Sequence, residues 1–218
     1  MFHFPSWTIT VRDLSGGILL LVPLYLIGLV TFGGSPTTTD VGYMPAQPVP
    51  YSHALHAGEL AIDCRYCHNT VEQAGHSAIP PTATCLNCHS MIHTEKASLA
   101  PVRESAETGQ PIEWIRIHDL PDYAYFNHAV HVNRGVGCVS CHGRVDKMEE
   151  VYQHEKLSMG WCLECHRAPE EHLRPLDQIT NMTWDPEAAL GLSQLELGLQ
   201  LKEEWSIEPP QNCSACHR

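Results

Sequence analysis

Five copies of the pattern Cys-x-x-Cys-His use every cysteine in the chain, and we number them sites I to V in chain order. Two thiols separated by two residues can each bond one vinyl group of a haem, and the histidine that follows can then reach the iron. Each copy therefore predicts one covalently bound haem c. The residues of sites I to V are, in order, Cys64, Cys67 and His68; Cys85, Cys88 and His89; Cys138, Cys141 and His142; Cys162, Cys165 and His166; and Cys213, Cys216 and His217.

Cysteine pairs of this spacing also occur in other settings. Structural zinc sites take four ligands, often from two such pairs, and ten cysteines could form disulfides in an exported chain. Neither alternative explains why a histidine follows the second cysteine in all five copies. Haem attachment accounts for the complete pattern.

An iron bound to its proximal histidine becomes six-coordinate when a second side chain binds its other face. An aromatic residue two positions before His-x-x-His occurs twice, once ahead of site I and once ahead of site III. Two histidines three positions apart on a helical turn project from one side, yet diverge enough to reach two different irons. These repeats predict four distal ligands, His53, His56, His128 and His131.

The sequence holds more distal candidates than five irons need. His118 ends a strand-like stretch, residues 112–118, and His76 ranks behind it. A methionine thioether can also bind haem iron and raises its potential, so Met159 and Met148 are candidates too. Three further histidines lie in charged or polar surroundings and are predicted to be surface residues: His93, His154 and His172.

The amino-acid composition limits both the kinds of partner and the kinds of fold that fit this chain. With 13 Lys and Arg against 25 Asp and Glu, the formal net charge is −12, which argues against nucleic acid because phosphate binding needs clustered cations. After its N-terminal apolar run the chain is poor in Leu, Ile, Val and Phe, so bound porphyrins must supply most of the core. We therefore expect a multihaem cytochrome c, mostly irregular, with short α-helices wrapped around five haems plus one N-terminal transmembrane helix.

An uncharged run covers residues 14–32. As a helix it would be about 28 Å long, close to the ~30 Å hydrocarbon core of a bilayer, and Pro23 is tolerated in such a helix. A signal peptide cleaved near Gly33-Gly34-Ser35 is the alternative, but we expect the segment to be retained as an anchor. Haem c is attached outside the cytoplasm, which predicts a haem domain on the periplasmic side of the bacterial cytoplasmic membrane.

The chain is thus expected to contain four parts. They are a cytoplasmic N-terminus (1–13), a transmembrane helix (14–32), a Pro- and Gly-rich linker (33–50) and a periplasmic pentahaem domain (51–218). In the domain, two modules of two sites each, 51–90 and 126–167, precede the fifth site at 213–217.

Two segments outside the motifs carry structural expectations. Residues 98–110 are polar and predicted to form a surface loop. Asp185 followed by Pro186 predicts an N-cap and first helical residue, opening one helix that runs to about Trp205. This helix would join site IV to site V.

Short phrases over residues 42–174 are more specific than the haem motifs alone. They are Tyr43-Met44-Pro45, Tyr51-Ser52-His53, Ile79-Pro80-Pro81-Thr82, Phe126-Asn127-His128, Cys141-His142-Gly143-Arg144-Val145-Asp146 and Met159-Gly160-Trp161-Cys162. With these phrases, the single apolar run and the motif count, the chain resembles the membrane-anchored pentahaem cytochrome c subunit of bacterial alternative complex III.

The resemblance implies an electron-transfer subunit of a quinol oxidoreductase rather than an enzyme by itself. Electrons would come from iron–sulfur clusters of a partner subunit, with quinol oxidised in an integral membrane subunit. They would pass through five haems c to a monohaem cytochrome c or another periplasmic acceptor, and ultimately to an oxidase. Family members also imply mostly bis-histidine haems with one His/Met haem among them.

Two other functions are weighed against this electron-transfer role. A self-sufficient membrane-anchored quinol dehydrogenase would need a quinone pocket and a proton acceptor at membrane depth, but no acidic, basic or histidine residue lies between Ser15 and Phe32. A catalytic multihaem enzyme would need an iron open to substrate and a larger scaffold. The self-sufficient dehydrogenase remains the alternative.

Overall fold

The structure is a computed structural model, and it describes residues 3–35 and 38–217. It divides into two compact units, Met1–Val41 and Gly42–Arg218. The boundary falls inside the predicted linker 33–50. The outer ends of the predicted ranges 1–13 and 51–218 lie outside the described residues.

The N-terminal unit is built on helix α1, Ser6–Gly33. The helix extends eight residues further toward the N-terminus than the predicted span, with Pro23 inside it. Its mean hydropathy reaches 2.1, so it is long and apolar enough to cross a membrane. Thr31 donates its hydroxyl hydrogen to the Ile27 carbonyl at 2.7 Å. Because this bond satisfies the hydroxyl, Thr31 needs no water as a partner in an apolar setting.

The C-terminal unit is assembled from short helices. Its α-helices are α2 (Cys64–Cys67), α3 (Thr82–His89), α4 (Ala100–Thr108), α5 (His128–Val132), α6 (Val139–His142), α7 (Met159–Arg167), α8 (Pro186–Leu190), α9 (Gln194–Glu204) and α10 (Cys213–Cys216). A π-helix covers Ala54–Glu59, and 3₁₀ turns cover Ala97–Leu99, Val145–Lys147, Pro169–Glu171 and Leu176–Gln178. Within 3–35 and 38–217 there is no β-strand, and two isolated antiparallel bridges pair Ala124 with His217 and Val136 with Leu173.

All five attachment motifs lie on short helices: α2, α3, α6, α7 and α10. Local caps begin several of them. Asp63 accepts a hydrogen bond from the Arg65 amide at 2.8 Å at the start of α2, and Asn212 accepts one from the Ala215 amide at 2.9 Å at the start of α10. Helices this short are marginal alone, so caps and tertiary contacts must hold each motif in its helical turn.

The predicted surface loop 98–110 is wrong, because most of it is helix α4. Pro101 occupies the first turn, where its missing N–H costs nothing. Val102 and Ser105, three residues apart, are buried on one face. Gly109 then ends the helix in the left-handed conformation, with φ of 71°. The polar composition concealed an amphipathic helix that buries only one narrow face.

The single helix predicted from Asp185 to Trp205 is also wrong, since two helices occupy this stretch. Gly191 adopts φ of 70° and ends α8. Ser193 and Glu196 then form a reciprocal capping box that begins α9. The pattern Gly191-x-Ser193-x-x-Glu196 contains both the glycine that ends α8 and the two residues of the capping box that begins α9.

A small apolar core supports the end of the unit. It consists of Leu173, Leu197, Leu201 and Ile207. Gly198 lies on the same helix as Leu197 and Leu201, where the backbone of Glu170 approaches so closely that a Cβ would be 1.8 Å from its carbonyl oxygen. This core is too small to organise the whole unit.

Residues 42–50, predicted to belong to the linker, pack within the C-terminal unit. The Gly42 amide donates to the Gln153 carbonyl at 2.8 Å, and Val49 is buried. The Gln47 side chain donates to the Ile115 carbonyl and accepts from the Ile115 amide, both at 2.9 Å. The stretch 112–118, expected to be strand-like, therefore has a side chain as its partner and forms no strand.

Candidate functional site: a cavity lined by all five motifs

One large cavity of about 2730 Å³ runs through the C-terminal unit. All ten motif cysteines and all five histidines that follow them line it. Its volume is several times the ~300–1,000 Å³ of an ordinary ligand pocket. The space and its lining fit several large cofactors held side by side, and explain why so few apolar side chains form a core.

Most histidines at the cavity are oriented by one kind of hydrogen bond, in which Nδ1–H donates to a backbone carbonyl. A histidine fixed in this tautomer presents Nε2 with a free lone pair, as metal-ligating imidazoles do. The motif histidines with this bond are His68 (to Ala78, 2.9 Å), His89 (to Ile92, 3.1 Å), His166 (to Pro210, 2.7 Å) and His217 (to Tyr123, 3.2 Å). The predicted distal ligands with it are His56 (to Ser52, 2.8 Å), His128 (to Gly75, 3.0 Å) and His131 (to Asn127, 2.8 Å).

The first His-x-x-His turn is organised by its aromatic residue. The Tyr51 ring stacks on His56, with centroids 4.3 Å apart and an interplanar angle of 22°. The same ring meets His53 edge-on, at 4.8 Å and 83°. Tyr51 therefore fixes both imidazoles at once and holds them at a steep angle to one another.

The second turn repeats this geometry. Phe126 stacks on His131 at 4.5 Å and 29° and meets His128 edge-on at 4.7 Å and 85°. The agreement within 0.2 Å for each pair of rings shows that the sequence repeat is a structural repeat. Both turns require an aromatic ring at this position but no hydroxyl group, since Tyr51 in one copy corresponds to Phe126 in the other.

The second histidine of each turn faces the motif histidine of a second site. The ring centroids of His56 and His89 lie 6.2 Å apart, and those of His131 and His166 lie 6.1 Å apart. An imidazole nitrogen binds a metal at about 2 Å and lies about 1 Å from its ring centre. Two imidazoles on opposite faces of one metal thus have centroids about 6 Å apart, so both pairs fit an iron between them.

Site III has two neighbouring imidazoles. The His142 ring lies 6.4 Å from His128, nearly parallel at 12°, and 4.5 Å from His118, edge-on at 74°. Only the His128 distance leaves room for a metal between the rings. Burial and the neighbouring imidazoles of His118 and His128 lower the pKa of His142 to about 3, so this ring is neutral and able to act as a ligand at neutral pH.

Two of the predicted distal ligands have a buried nitrogen without a hydrogen-bond partner among the described residues, Nδ1 of His53 and Nε2 of His118. Burial, followed by the nearby His68 and His56, lowers the pKa of His53 to about 4. Burial is also the main cause that lowers the pKa of His118, His128 and His131. Such a collection of buried neutral imidazoles is costly unless the rings bind something.

The remaining candidates are sorted by whether they reach the cavity. Met159 lines it, whereas Met148 is buried away from the lining, with its carbonyl accepting from the Ala54 amide at 3.0 Å. The geometry thus favours Met159 of the two thioethers.

Of the three histidines predicted to be surface residues, His93 and His154 are exposed and His172 is half-buried. His93 and His172 line the cavity together with His76. His154 does not line it, and its ring lies against Gly143 instead. Their polar neighbours in sequence gave no sign of this position at the cavity, because a cavity wall recruits residues from loops as well as helices.

The alternatives to haem find no matching arrangement in the described part of the chain. No three His, Cys, Asp or Glu side chains within 3–35 and 38–217 converge as ligands of one ion, although a structural zinc site takes four. None of the ten motif cysteines forms a disulfide, and burial raises the pKa of Cys141 to about 12. The motif cysteines are thus spread around the cavity as attachment points.

Comparison with known proteins agrees with this geometry. Residues 124–218 match the family of cytochrome c7 and related cytochrome c. The chain is also 27% identical over 148 residues to the multihaem cytochrome c subunit of menaquinone reductase from Nitratidesulfovibrio vulgaris, covering 58% of this chain and 70% of that protein. The C-terminal unit therefore contains a multihaem cytochrome c domain, whose chemistry is electron transfer.

Proposed function

We propose that this chain is the five-haem electron-transfer subunit of a membrane quinone oxidoreductase. The observation that carries the proposal is the single cavity lined by every Cys-x-x-Cys-His motif, with two distal histidines about 6 Å from the motif histidines they face. Bound haems supply one-electron redox chemistry. Everything else in the unit serves to attach, space and orient them.

The chain's own residues divide this work. The paired cysteines would tether each porphyrin covalently, and four of the five motif histidines face the cavity with Nδ1–H held by a backbone carbonyl. The two His-x-x-His turns each serve two neighbouring sites, so one local structure sets the spacing between them. Tyr51 and Phe126 lock the turns by stacking. Such rigidity keeps the reorganisation that accompanies electron transfer small.

The ligand supply supports an electron-transfer role without catalysis. Histidines face site II and site IV from the distal side, and His128 faces site III. An iron held between two of these imidazoles would have no position left for substrate. We place quinone chemistry in a partner subunit and the haem domain on the periplasmic side of the bacterial cytoplasmic membrane, anchored by α1.

The resemblance to the pentahaem subunit of alternative complex III favours a specific complex. In it, electrons would reach this chain from iron–sulfur clusters of a partner subunit after quinol oxidation in an integral membrane subunit. They would leave to a monohaem cytochrome c or an oxidase. The long exposed apolar helix α1 and the net charge of −12 support a membrane-held acidic subunit that meets basic redox partners.

A second direction of flow is favoured by one observation, the relative named as a menaquinone reductase subunit. A chain of that kind would deliver electrons toward quinone instead of receiving them. The direction is decided with the purified complex in liposomes. Haem reduction by a menaquinol analogue, blocked by a quinone-site inhibitor, supports the quinol-oxidising complex. Menaquinone reduction by reduced periplasmic cytochrome, with no reverse reaction, supports flow toward quinone.

The self-sufficient dehydrogenase is tested with the chain alone. Expressed in membranes with its haems incorporated, it should be reduced fully by dithionite but not by a quinol analogue at catalytic rates. Inhibitor-sensitive reduction by quinol within turnover time would show that the chain carries its own quinone site and would overturn the subunit role.

A further inference from the structure

We propose that the five attachment sites form one row whose spatial order is II, I, III, IV, V, so that sites II and V are its two ends and the places where redox partners must approach. This inference rests on the proposed function and deepens it. Chain order and spatial order differ at the start of the row. Four contacts between motifs carry the argument, one for each neighbouring pair.

Sites II and I are joined inside their own motifs. Tyr66 lies between the two cysteines of site I, and Asn87 lies between those of site II. The Asn87 side-chain amide donates to the Tyr66 hydroxyl at 2.9 Å. In addition, His56 from the turn ahead of site I faces His89 of site II at 6.2 Å. These contacts make sites II and I neighbours.

Sites I and III meet at their first cysteines. The Cys64 and Cys138 sulfur atoms lie next to each other. A two-residue bridge reinforces the contact, because the Cys138 amide donates to the Ile179 carbonyl at 3.1 Å and the adjacent Thr180 hydroxyl donates to Asp63 at 2.8 Å. The first site of one module therefore abuts the first site of the other.

The junction between the modules is reinforced beyond the motifs. His128 donates both its amide hydrogen and its Nδ1–H to the Gly75 carbonyl, each at 3.0 Å. The Asn133 side-chain amide donates to the Glu72 carbonyl at 2.9 Å. A distal histidine of the second module is thus oriented by a loop of the first, which fixes the two modules relative to one another.

Sites III and IV share one helical turn. His128 faces His142 of site III at 6.4 Å, and His131 faces His166 of site IV at 6.1 Å. Since the two distal residues are three positions apart, the two sites must be neighbours.

Sites IV and V are joined through the segment that leads into the last motif. His166 Nδ1–H donates to the Pro210 carbonyl at 2.7 Å, three residues before Cys213. Cys162 and Cys216 also lie close to one another. Site V is held from its other side by Tyr123, whose carbonyl accepts from His217 at 3.2 Å.

Solvent exposure of the cysteines marks the same two ends independently. Of the ten, only Cys88 of site II and Cys213 of site V are exposed, whereas the cysteines of sites I, III and IV are partly covered. Next to site II, Met91 is 87% exposed. A row with covered interior sites and exposed end sites admits electrons at one end and releases them at the other.

The direct test locates the irons. Anomalous diffraction from crystals of the haem-loaded complex gives iron positions, and the thioether bonds assign each iron to its motif. We expect the site I iron to have those of sites II and III as its nearest neighbours, and sites II and V to be terminal. A site II iron nearest to site III, or an interior site V, would overturn the row.

A solution measurement gives a second readout. Adjacent redox centres shift each other's potentials through their charges, so deleting a terminal site should shift the potential of one remaining haem, whereas deleting an interior site should shift two. The variants are Cys85→Ala with Cys88→Ala for site II and Cys162→Ala with Cys165→Ala for site IV. Two shifted potentials after deletion of site II would contradict the order.

The failure of this inference is distinguishable from failure of the proposed function. Five haems in another spatial order would refute the row alone. A haem count other than five, measured on the wild-type chain by mass, would refute the proposed function. If the site IV variant does not fold, the iron positions still decide the order.

Discussion

The imidazoles of His131 and His166 face each other with their centroids 6.1 Å apart, and the equivalent pair in the first module, His56 and His89, repeats this spacing at 6.2 Å. In each module the second histidine of His-x-x-His reaches past the nearest motif to the following one. The repeat therefore lies in the contacts as well as in the sequence. This cross-connection makes each module a two-site unit held by one turn.

Removal of a distal histidine should change the spin state of one site only. In His131→Ala the site IV iron loses its sixth ligand, so a high-spin ferric signal should appear in the EPR spectrum and account for about one haem in the chain. His154→Ala is the matched control, because that imidazole lies off the cavity and its loss should leave the spectrum low-spin. An unchanged His131→Ala spectrum would show that another side chain ligates site IV.

The salt bridge that caps the site I helix should confer a pH-dependent stability. Hydrogen bonds from Arg65, opposed by partial burial, lower the pKa of Asp63 to about 2, below its ordinary value near ~3.9. Its contribution is therefore present above about pH 4 and is lost as the pH falls toward 2. Because the pair is partly exposed, with side chains 39% and 42% accessible, we expect at most ~1 kcal/mol.

Asp63→Asn measures this contribution. Its thermal midpoint should lie below that of the wild type at pH 6, and the difference should shrink at pH 2.5. Glu208→Gln, a change of the same chemistry away from the motifs, serves as the control. A difference that stays constant between the two pH values would mean that the carboxylate does not act through its charge.

A close backbone approach at Gly198 predicts a large effect of a single methyl group. A Cβ there would lie 1.8 Å from the Glu170 carbonyl oxygen, and backbone cannot move aside as a flexible side chain can. Gly198→Ala should destabilise the protein by about 1–3 kcal/mol or more, measured by thermal or denaturant unfolding.

Gly160→Ala is its matched control. Gly160 also lies in a helix, α7, but a Cβ there meets nothing within 4 Å. Alanine favours the helix over glycine by roughly 1 kcal/mol, so this variant should be neutral or slightly more stable. Equal losses in both variants would contradict the close packing of α9 on the Glu170 turn.

The sequence predicted the chemistry better than the architecture. The motif spacing and the His-x-x-His repeats are local, so they identify the cavity histidines at 53, 56, 128 and 131 and the short helices that carry the motifs. The multihaem cytochrome c domain and the long apolar helix were predictable for the same reason.

Long-range features were not predictable from local patterns. His93 and His172 line the cavity because distant segments fold around it, and nothing next to them in sequence indicates this. Gly191 is a residue that often ends a helix, but the leucines at helical spacing on both sides of it predicted one continuous helix. The contact between Cys64 and Cys138 joins residues 74 positions apart, so the spatial order of the sites emerges only from the fold.

The central claim, that every Cys-x-x-Cys-His motif attaches one haem, is tested most directly by intact mass spectrometry of the denatured chain together with a pyridine haemochrome assay. Covalent attachment survives denaturation, so both methods count bound haems without relying on the fold. The account predicts five haems c per chain and no cysteine free to react with a thiol reagent. Four or fewer haems in fully matured protein, or zinc bound to the free thiols, would contradict it.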